Sequence, residues 1–233
     1  MLKIEIEQPL TCIDPTMSVS AVFKKRPTVG VLPIVESNVI NRGTGAGGAN
    51  TNKLGKSFEQ KTENESRLLE QGFVKKIIME KNKAKFNYYL EKRESPVSSV
   101  VYLTQGALKL YFKSHFNVEM HRCPDEAYLF QKGNHYTLKV LEKKCQNVAG
   151  SVDTKLLAGN GFIRDYQKCL KTASSSTFDV VYAFCISDFL KQDYMTHTPK
   201  YNNLREILAE DRIAVLFGDD EDYYQQLDAW IME

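Results

Sequence analysis

Within Pro124–Gln146 (PDEAYLFQKGNHYTLKVLEKKCQ) an acidic residue, Asp125, stands at the mouth of one apolar run, and a second run ends in Glu142, Lys144 and Gln146. A Gly133-Asn134 turn separates the two. If both runs are strands, side chains two apart share a face, so Glu142, Lys144 and Gln146 project together. Two carboxylates and a lysine gathered at neighbouring strand ends suit a hard divalent cation and a phosphate. Mg²⁺ prefers carboxylate oxygens, keeps several waters, and is held by one or two side chains plus substrate phosphate. Asp125 and Glu142 offer the carboxylates, and the carbonyl of Lys143 lies beside the second. A cation there lowers the pKa of bound water and neutralises charge on a scissile phosphate. Lys144, a point charge on a flexible stem, can position the water or stabilise the transition state. That chemistry is metal-dependent cutting of a nucleic-acid backbone.

The elements that must hold these residues can be read in outline. The arm Arg42–Ser57 (RGTGAGGANTNKLGKS) is rich in Gly and Asn and reads as a long loop. A helical pattern follows from Phe58 through Thr62, Leu68 and Leu69 to Gly72, a C-terminal cap. Phe73–Met79 reads as a strand, and Ser99–Phe112 as a strand pair or a strand with a bend at Gly106. The Pro124–Gln146 hairpin comes next, its Gly-Asn turn in the less favoured order. Helices are expected over Ser151–Lys171, with Ser151 the N-cap, a central strand at Phe178–Ile186, and a helix near Tyr201–Glu210. A strand at Arg212–Gly218 and a helix at Glu221–Met232 complete the chain. This order predicts an α/β fold: a three-layer α/β/α sandwich with a central mixed β-sheet.

Bulk properties narrow the class. The 233 residues, 42% hydrophobic and 26% charged, suffice for one α/β domain with a full core. No apolar run reaches the roughly 18 residues of a membrane span, and MLKIEIEQPL alternates like a strand rather than a signal peptide. An intracellular, cytoplasmic protein is expected. Five scattered cysteines without a C-x-x-C pair, and four histidines without H-E-x-x-H spacing, argue against zinc and against a disulfide framework. The net charge is only +2, but Lys75, Lys76, Lys81, Lys83 and Lys85 crowd together, as do Lys139, Lys143 and Lys144, while the tail from Glu206 is acidic. Such asymmetry fits a basic face for a phosphate backbone and fits a solvated lysine-rich surface equally. Tyr88-Tyr89, Tyr223-Tyr224 and Trp230 read as core packing rather than base stacking. Gly43-x-Gly45-x-x-Gly48 matches a dinucleotide fingerprint in spacing but lacks the helix opening at its last glycine, and Gly55-Lys56-Ser57 lacks the first glycine of a P-loop.

Pro124-Asp125 followed by Glu142-x-Lys144 resembles the signature of the PD-(D/E)XK nucleases, the restriction-endonuclease-like superfamily, and Gln146 extends it to the E-x-K-x-Q variant. Gly55-Lys56-Ser57-Phe58-Glu59 resembles the G-x-x-x-E of that superfamily's first helix. The resemblance covers about residues 55–220. It implies Asp125, Glu142 and Glu59 as metal ligands, with Glu63 one turn on as the fallback, Lys144 as the catalytic lysine, and Gln146 near the phosphate. Mg²⁺ is the implied cofactor, with Mn²⁺ a substitute. The segment GTGAGGANTNKLGKSFE is similar to one in type II restriction-like endonucleases, including those of large DNA viruses. Residues 1–54 would then be an extension whose Arg42, Asn50, Asn52 and Lys53 contact DNA, since backbone glycines approach phosphate and Asn amides read base edges; residues 55–233 would be the nuclease core, with Lys56 a further DNA contact at its start. The implied activity is sequence-specific cleavage of double-stranded DNA by a homodimer. The alternatives are a structure-specific or repair nuclease, such as a Holliday-junction resolvase, and a non-catalytic DNA-binding protein that keeps the fold.

Overall fold

A computed structural model describes residues 49–80, 85, 87–146 and 152–233, the side chains of 49–54 and 152–153 excepted. Arg42 and Ser151 lie outside the described residues, as do Lys81 and Lys83. The elements run α1 (Ala49–Lys61), α2 (Glu65–Glu70), β1 (Val74–Ile77), β2 (Tyr88–Ser95), β3 (Ser98–Thr104), α3 (Gln105–Phe116), β4 (Glu126–Lys132), β5 (His135–Lys144), α4 (Val152–Leu157), α5 (Gly159–Leu170), β6 (Thr177–Ile186), α6 (Asp188–Tyr194), α7 (Pro199–Glu210), β7 (Ile213–Phe217) and α8 (Tyr223–Met232). The strands form one seven-stranded sheet in sequential order. Pairings from β1 to β5 are antiparallel, and β5–β6 and β6–β7 are parallel. The expected mixed sheet flanked by helices is what the chain forms.

Strand alternation divides the core between the two faces. Leu138 and Val140 of β5, Ala127 and Leu129 of β4, and Tyr182, Phe184 and Ile186 of β6 face one cluster with α3 to α7. Leu141, Tyr128, Ala183 and Cys185 face the other, against Phe58 of α1, Leu68 of α2, and Tyr223, Leu227 and Trp230 of α8. Thus Tyr223 and Trp230 pack in the core, and Tyr224 and Tyr88 carry the Arg67 guanidinium at 4.4 Å and the Lys75 ammonium at 3.5 Å over their rings. No described helix is long and apolar enough to cross a membrane.

Two local readings need correction, and one strand is added. The arm is not a loop to Ser57: helix α1 begins at Ala49 and includes Asn50, Asn52, Lys53 and Lys56. Asn and Gly disfavour helix only weakly, and packing of Phe58 and Thr62, four residues apart and both buried, overrides them. Ser99–Phe112 is not a strand pair: β3 stops at Thr104, and α3 follows at once, burying Ala107, Leu108, Tyr111 and Phe112 on one helical stripe. The charged segment after β1 also holds a strand, β2, whose Glu91 is buried and pairs with Lys76 and Arg93.

The Gly-Asn order of the hairpin turn has a geometric explanation. Lys132 pairs with His135, so Gly133 and Asn134 are the two loop residues, and Gly133 has φ +65° whereas Asn134 is not among the residues with positive φ. A type II′ turn requires the left-handed residue first, which places glycine before asparagine.

Candidate metal-dependent active site

In the β4–β5 ladder Glu126 pairs with Leu141, and one further step of that register sets Asp125 opposite Glu142. Directly opposed residues of antiparallel strands point to the same side, with Cβ atoms roughly 5 Å apart. Asp125, Glu142 and Lys144 therefore share the face that carries Leu138 and Val140. The neighbouring residues Glu126 and Lys143 point to the opposite face, with Leu141. A slip of one residue would exchange the two sets. The carboxylates stand at the carboxyl end of β5, where the sheet changes from antiparallel to parallel, the kind of edge at which open α/β sheets place their ligands.

Each group is held by identifiable contacts. The Lys143 backbone N–H donates to Asp125 Oδ2 at 2.6 Å, and Gln105 Nε2, in the first residue of α3, donates to Oδ1 at 3.4 Å. Lys144 Nζ donates to Glu142 Oε1 at 2.6 Å, both side chains being about one-fifth exposed (20% and 24%). Glu59, on the last turns of α1, has a half-buried side chain and no hydrogen-bond donor among the described residues.

Electrostatics shows these groups acting on one another. Burial pushes the Glu142 carboxyl above its usual range; Lys144 opposes the shift and the Asp125 charge adds to it. Burial likewise raises Glu59, again with Asp125 adding, against the opposing charges of Lys143, Lys144 and Lys56. Glu63 is also raised by burial, but the charges acting on it are those of Glu65, Glu126 and Lys143, not Asp125. Glu63 Oε1 in fact accepts from the backbone N–H of Glu65, so the fallback ligand is spent on the start of α2.

The carboxylates do not form a closed cage. Among the described residues, the group of three His, Cys, Asp or Glu ligand atoms lying mutually within 4.8 Å is His121, Asp165 and Cys169. That group is an ion cluster: Arg122 Nε donates to Asp165 Oδ2 at 3.0 Å, and His121 Nδ1 lies 3.3 Å from Oδ1. Asp125, Glu142 and Glu59 are looser. Such a donor set fits a hard cation held by one or two carboxylates, water and substrate phosphate rather than an all-protein cage. Carboxylate oxygens are hard donors and suit Mg²⁺ or Mn²⁺ better than a soft metal.

Beside Glu142 opens a cavity of about 240 Å³ lined by His121, Arg122, Cys123, Phe162, Tyr166 and Tyr182. The Arg122 guanidinium sits 4.6 Å from the Phe162 ring centre and contributes to the field at Glu142. Burial, with Glu142 adding, raises the Tyr166 and Tyr182 hydroxyls far above the phenol range, so both stay protonated donors. No motif marks His121, Arg122 or Tyr166 in the sequence, because they come from an irregular segment and from α5 and meet Glu142 only through the fold.

The remaining predicted contact residues separate. Lys56 is exposed on α1, near enough to Glu59 to lower its pKa. Asn50, Asn52 and Lys53 lie on the first turns of that helix. Gln146 falls past the end of β5, so strand alternation does not carry it onto the Glu142 face; its backbone N–H donates to Ser187 Oγ and its carbonyl accepts from the same hydroxyl, both at 3.3 Å. Several described lysines of the two clusters are engaged with acceptors within the chain. Lys139 Nζ donates to the Trp230 carbonyl at 2.7 Å, Lys143 is buried with Glu126, and Lys75 pairs with Glu65 at 3.2 Å.

No protein-family model, curated protein or solved structure matches the chain.

Proposed function

We propose that this protein is a Mg²⁺-dependent endonuclease of double-stranded DNA, of the PD-(D/E)XK type. The observation that carries the proposal is the placement of Asp125, Glu142 and Lys144 on one face at the carboxyl end of β5, with Glu59 close enough for Asp125 to raise its pKa. Clustered carboxylates whose mutual repulsion is only partly neutralised are costly to a fold, and a bound cation relieves that cost.

Asp125 and Glu142 would hold the cation, with Glu59 at its margin. When bound, Mg²⁺ supplies Lewis acidity, lowering the pKa of a water and drawing charge from the phosphate oxygens. The Lys143 N–H fixes the Asp125 carboxylate, which leaves its other oxygen turned toward Gln105 and the site. Glu142, partly desolvated by the cavity wall, interacts strongly with any nearby positive charge. Lys144 neutralises Glu142 while the site is empty of phosphate, and its flexible stem lets the ammonium turn to the scissile group. The exposed Lys56, three residues before Glu59 on α1, would contact the backbone of the duplex.

The restriction-like form of the proposal rests on the resemblance of the glycine arm, and the homodimer on the palindromic symmetry usual for such enzymes. The testing experiment is incubation with supercoiled plasmid in Mg²⁺, in Mn²⁺ and in EDTA. Metal-dependent linear or discrete products support the proposal; intact duplex and branched DNA under all conditions overturns it. Mapping the ends on a long sequenced DNA separates sequence-specific cutting from junction resolution.

A further inference from the structure

Behind the candidate site, on the opposite face of the sheet, lies a charged pair that its chemistry does not use. Lys143 Nζ and Glu126 Oε1 are 2.7 Å apart, with side chains 3% and 2% exposed. Buried ions are tolerated only when their partners are complete, and here both sets are full. Lys143 donates also to the carbonyls of Thr62 at 3.0 Å and Glu59 at 3.4 Å, at the C-terminal end of α1 where carbonyls lack an intrahelical backbone partner. Glu126 Oε1 accepts the Asn64 backbone N–H at 3.3 Å, and Oε2 accepts the Tyr128 hydroxyl at 2.9 Å. Asn64 Nδ2 in turn donates to Tyr128 Oη at 3.0 Å, and the Tyr223 hydroxyl reaches the Thr62 carbonyl at 3.3 Å.

We propose that the Glu126–Lys143 pair is the positioning element of the metal site, setting the end of α1, and so Glu59, against Asp125; this rests on the nuclease reading above. Lys143 acts through both of its ends. Its main-chain N–H holds Asp125 on one face of the sheet, and its ammonium holds the main chain of Glu59 on the other. Glu126 keeps the ammonium in place and ties Asn64, the residue that begins the next helix, to the same strand. An apolar residue at 143 would pack the sheet against α1 but would take the ammonium from the carbonyls of Glu59 and Thr62, leaving them only the Thr62 hydroxyl at 3.5 Å and the Tyr223 hydroxyl at 3.3 Å, neither of which comes from the β5 strand. Charge is therefore spent here on register between a helix end and a strand end, a use for which buried ionic groups have precedent.

The test separates packing from positioning. In the double variant Glu126→Leu/Lys143→Met the ionic cost and the ionic contacts disappear together, so the melting temperature is expected to stay close to the wild type. Mn²⁺ binding, followed by water-proton relaxation without DNA, is expected to weaken tenfold or more, the scale seen when groups that orient ligands are removed. Plasmid cleavage is expected to fall in parallel and to recover partly at high Mn²⁺. Glu126→Gln keeps the volume and an acceptor for Lys143 but removes the counter-charge, so it is expected to fold with a lowered melting temperature and to show a smaller shift in Mn²⁺ affinity in the same direction; it decides the question if the double variant fails to fold. Wild-type Mn²⁺ affinity and cleavage in a folded double variant, or in Glu126→Gln when only that variant folds, overturn the positioning role and leave the nuclease reading intact. A wild type that neither binds Mn²⁺ nor cuts DNA overturns both.

Discussion

The carboxylate of Asp125 takes a 2.6 Å hydrogen bond from the backbone N–H of Lys143, the residue between Glu142 and Lys144. One strand thereby fixes the acid of its neighbour with its main chain while its side chains supply the second acid and the ammonium. Asp125→Asn retains an oxygen for that N–H, so the fold should lose no more than about 1 kcal/mol. Its loss of charge should lower kcat by about 10²–10³, the scale for removing one preorganised electrostatic contact. Thermal melting and a single-turnover cleavage assay check the two halves.

Lys144 pairs with Glu142 at 2.6 Å. Lys144→Met removes the ammonium and leaves most of the stem. DNA binding and Mn²⁺ binding should persist while single-turnover cleavage falls by about 10²–10³. Weakened Mn²⁺ binding, with cleavage restored at saturating metal, would assign Lys144 to holding Glu142 rather than to the phosphate.

Glu59 gives a pH prediction. Burial and the Asp125 charge raise its carboxyl pKa in the folded state. A raised pKa means that the folded state binds the proton more tightly. The stabilisation this gives is complete below the unfolded carboxylate pKa and is lost as pH rises through the folded value. Glu59→Gln carries no such penalty. In EDTA it should melt somewhat higher than the wild type at pH 7, and the difference should close as pH falls through the unfolded carboxylate pKa. Equal melting temperatures at pH 7 would show that the repulsion is not felt.

Gly218 sits where α1 meets the sheet. A Cβ there would lie 2.5 Å from Phe58 Cζ and 2.7 Å from Cys185 Sγ, and Phe58 adjoins Glu59. Gly218→Ala should therefore cost about 1–3 kcal/mol by overpacking. By displacing Phe58 it should also weaken Mn²⁺ binding more than a core substitution on the α3 side that costs the same stability. Urea denaturation paired with a Mn²⁺ titration measures both.

Breaking the buried pair on one side differs from removing it. Lys143→Met alone leaves Glu126 uncompensated among groups only 2% exposed and should cost about 3–5 kcal/mol. The urea midpoint of this single variant should fall well below that of the double variant.

The candidate site was more legible in the sequence than its supports. Asp125, Glu142 and Lys144 could be placed on one face because a strand has a fixed period of two and a hairpin fixes the register. The same alternation already implied that Glu126 and Lys143 face the other way, but nothing local distinguishes a buried ion pair from two solvated charges. The start of α1 was hidden because Asn and Gly favour loops, whereas the deciding term, Phe58 in the core, is tertiary. In α3 the β-branched and aromatic residues of β3 run directly into the helix. The stripe Ala107, Leu108, Tyr111 and Phe112 carried the helical spacing, and Gly106 disguised it as a bend. His121, Arg122 and Tyr166 were illegible because their meeting with Glu142 depends on where α5 crosses the sheet.

The most direct measurement compares wild type and Lys144→Met on one end-labelled duplex of several kilobases in Mg²⁺, with EDTA as the blank. The nuclease account predicts discrete fragments from the wild type in Mg²⁺ alone, and uncut, still-bound DNA from the variant. Equal cutting by both proteins, or no cutting by the wild type in Mg²⁺ or Mn²⁺, would contradict it.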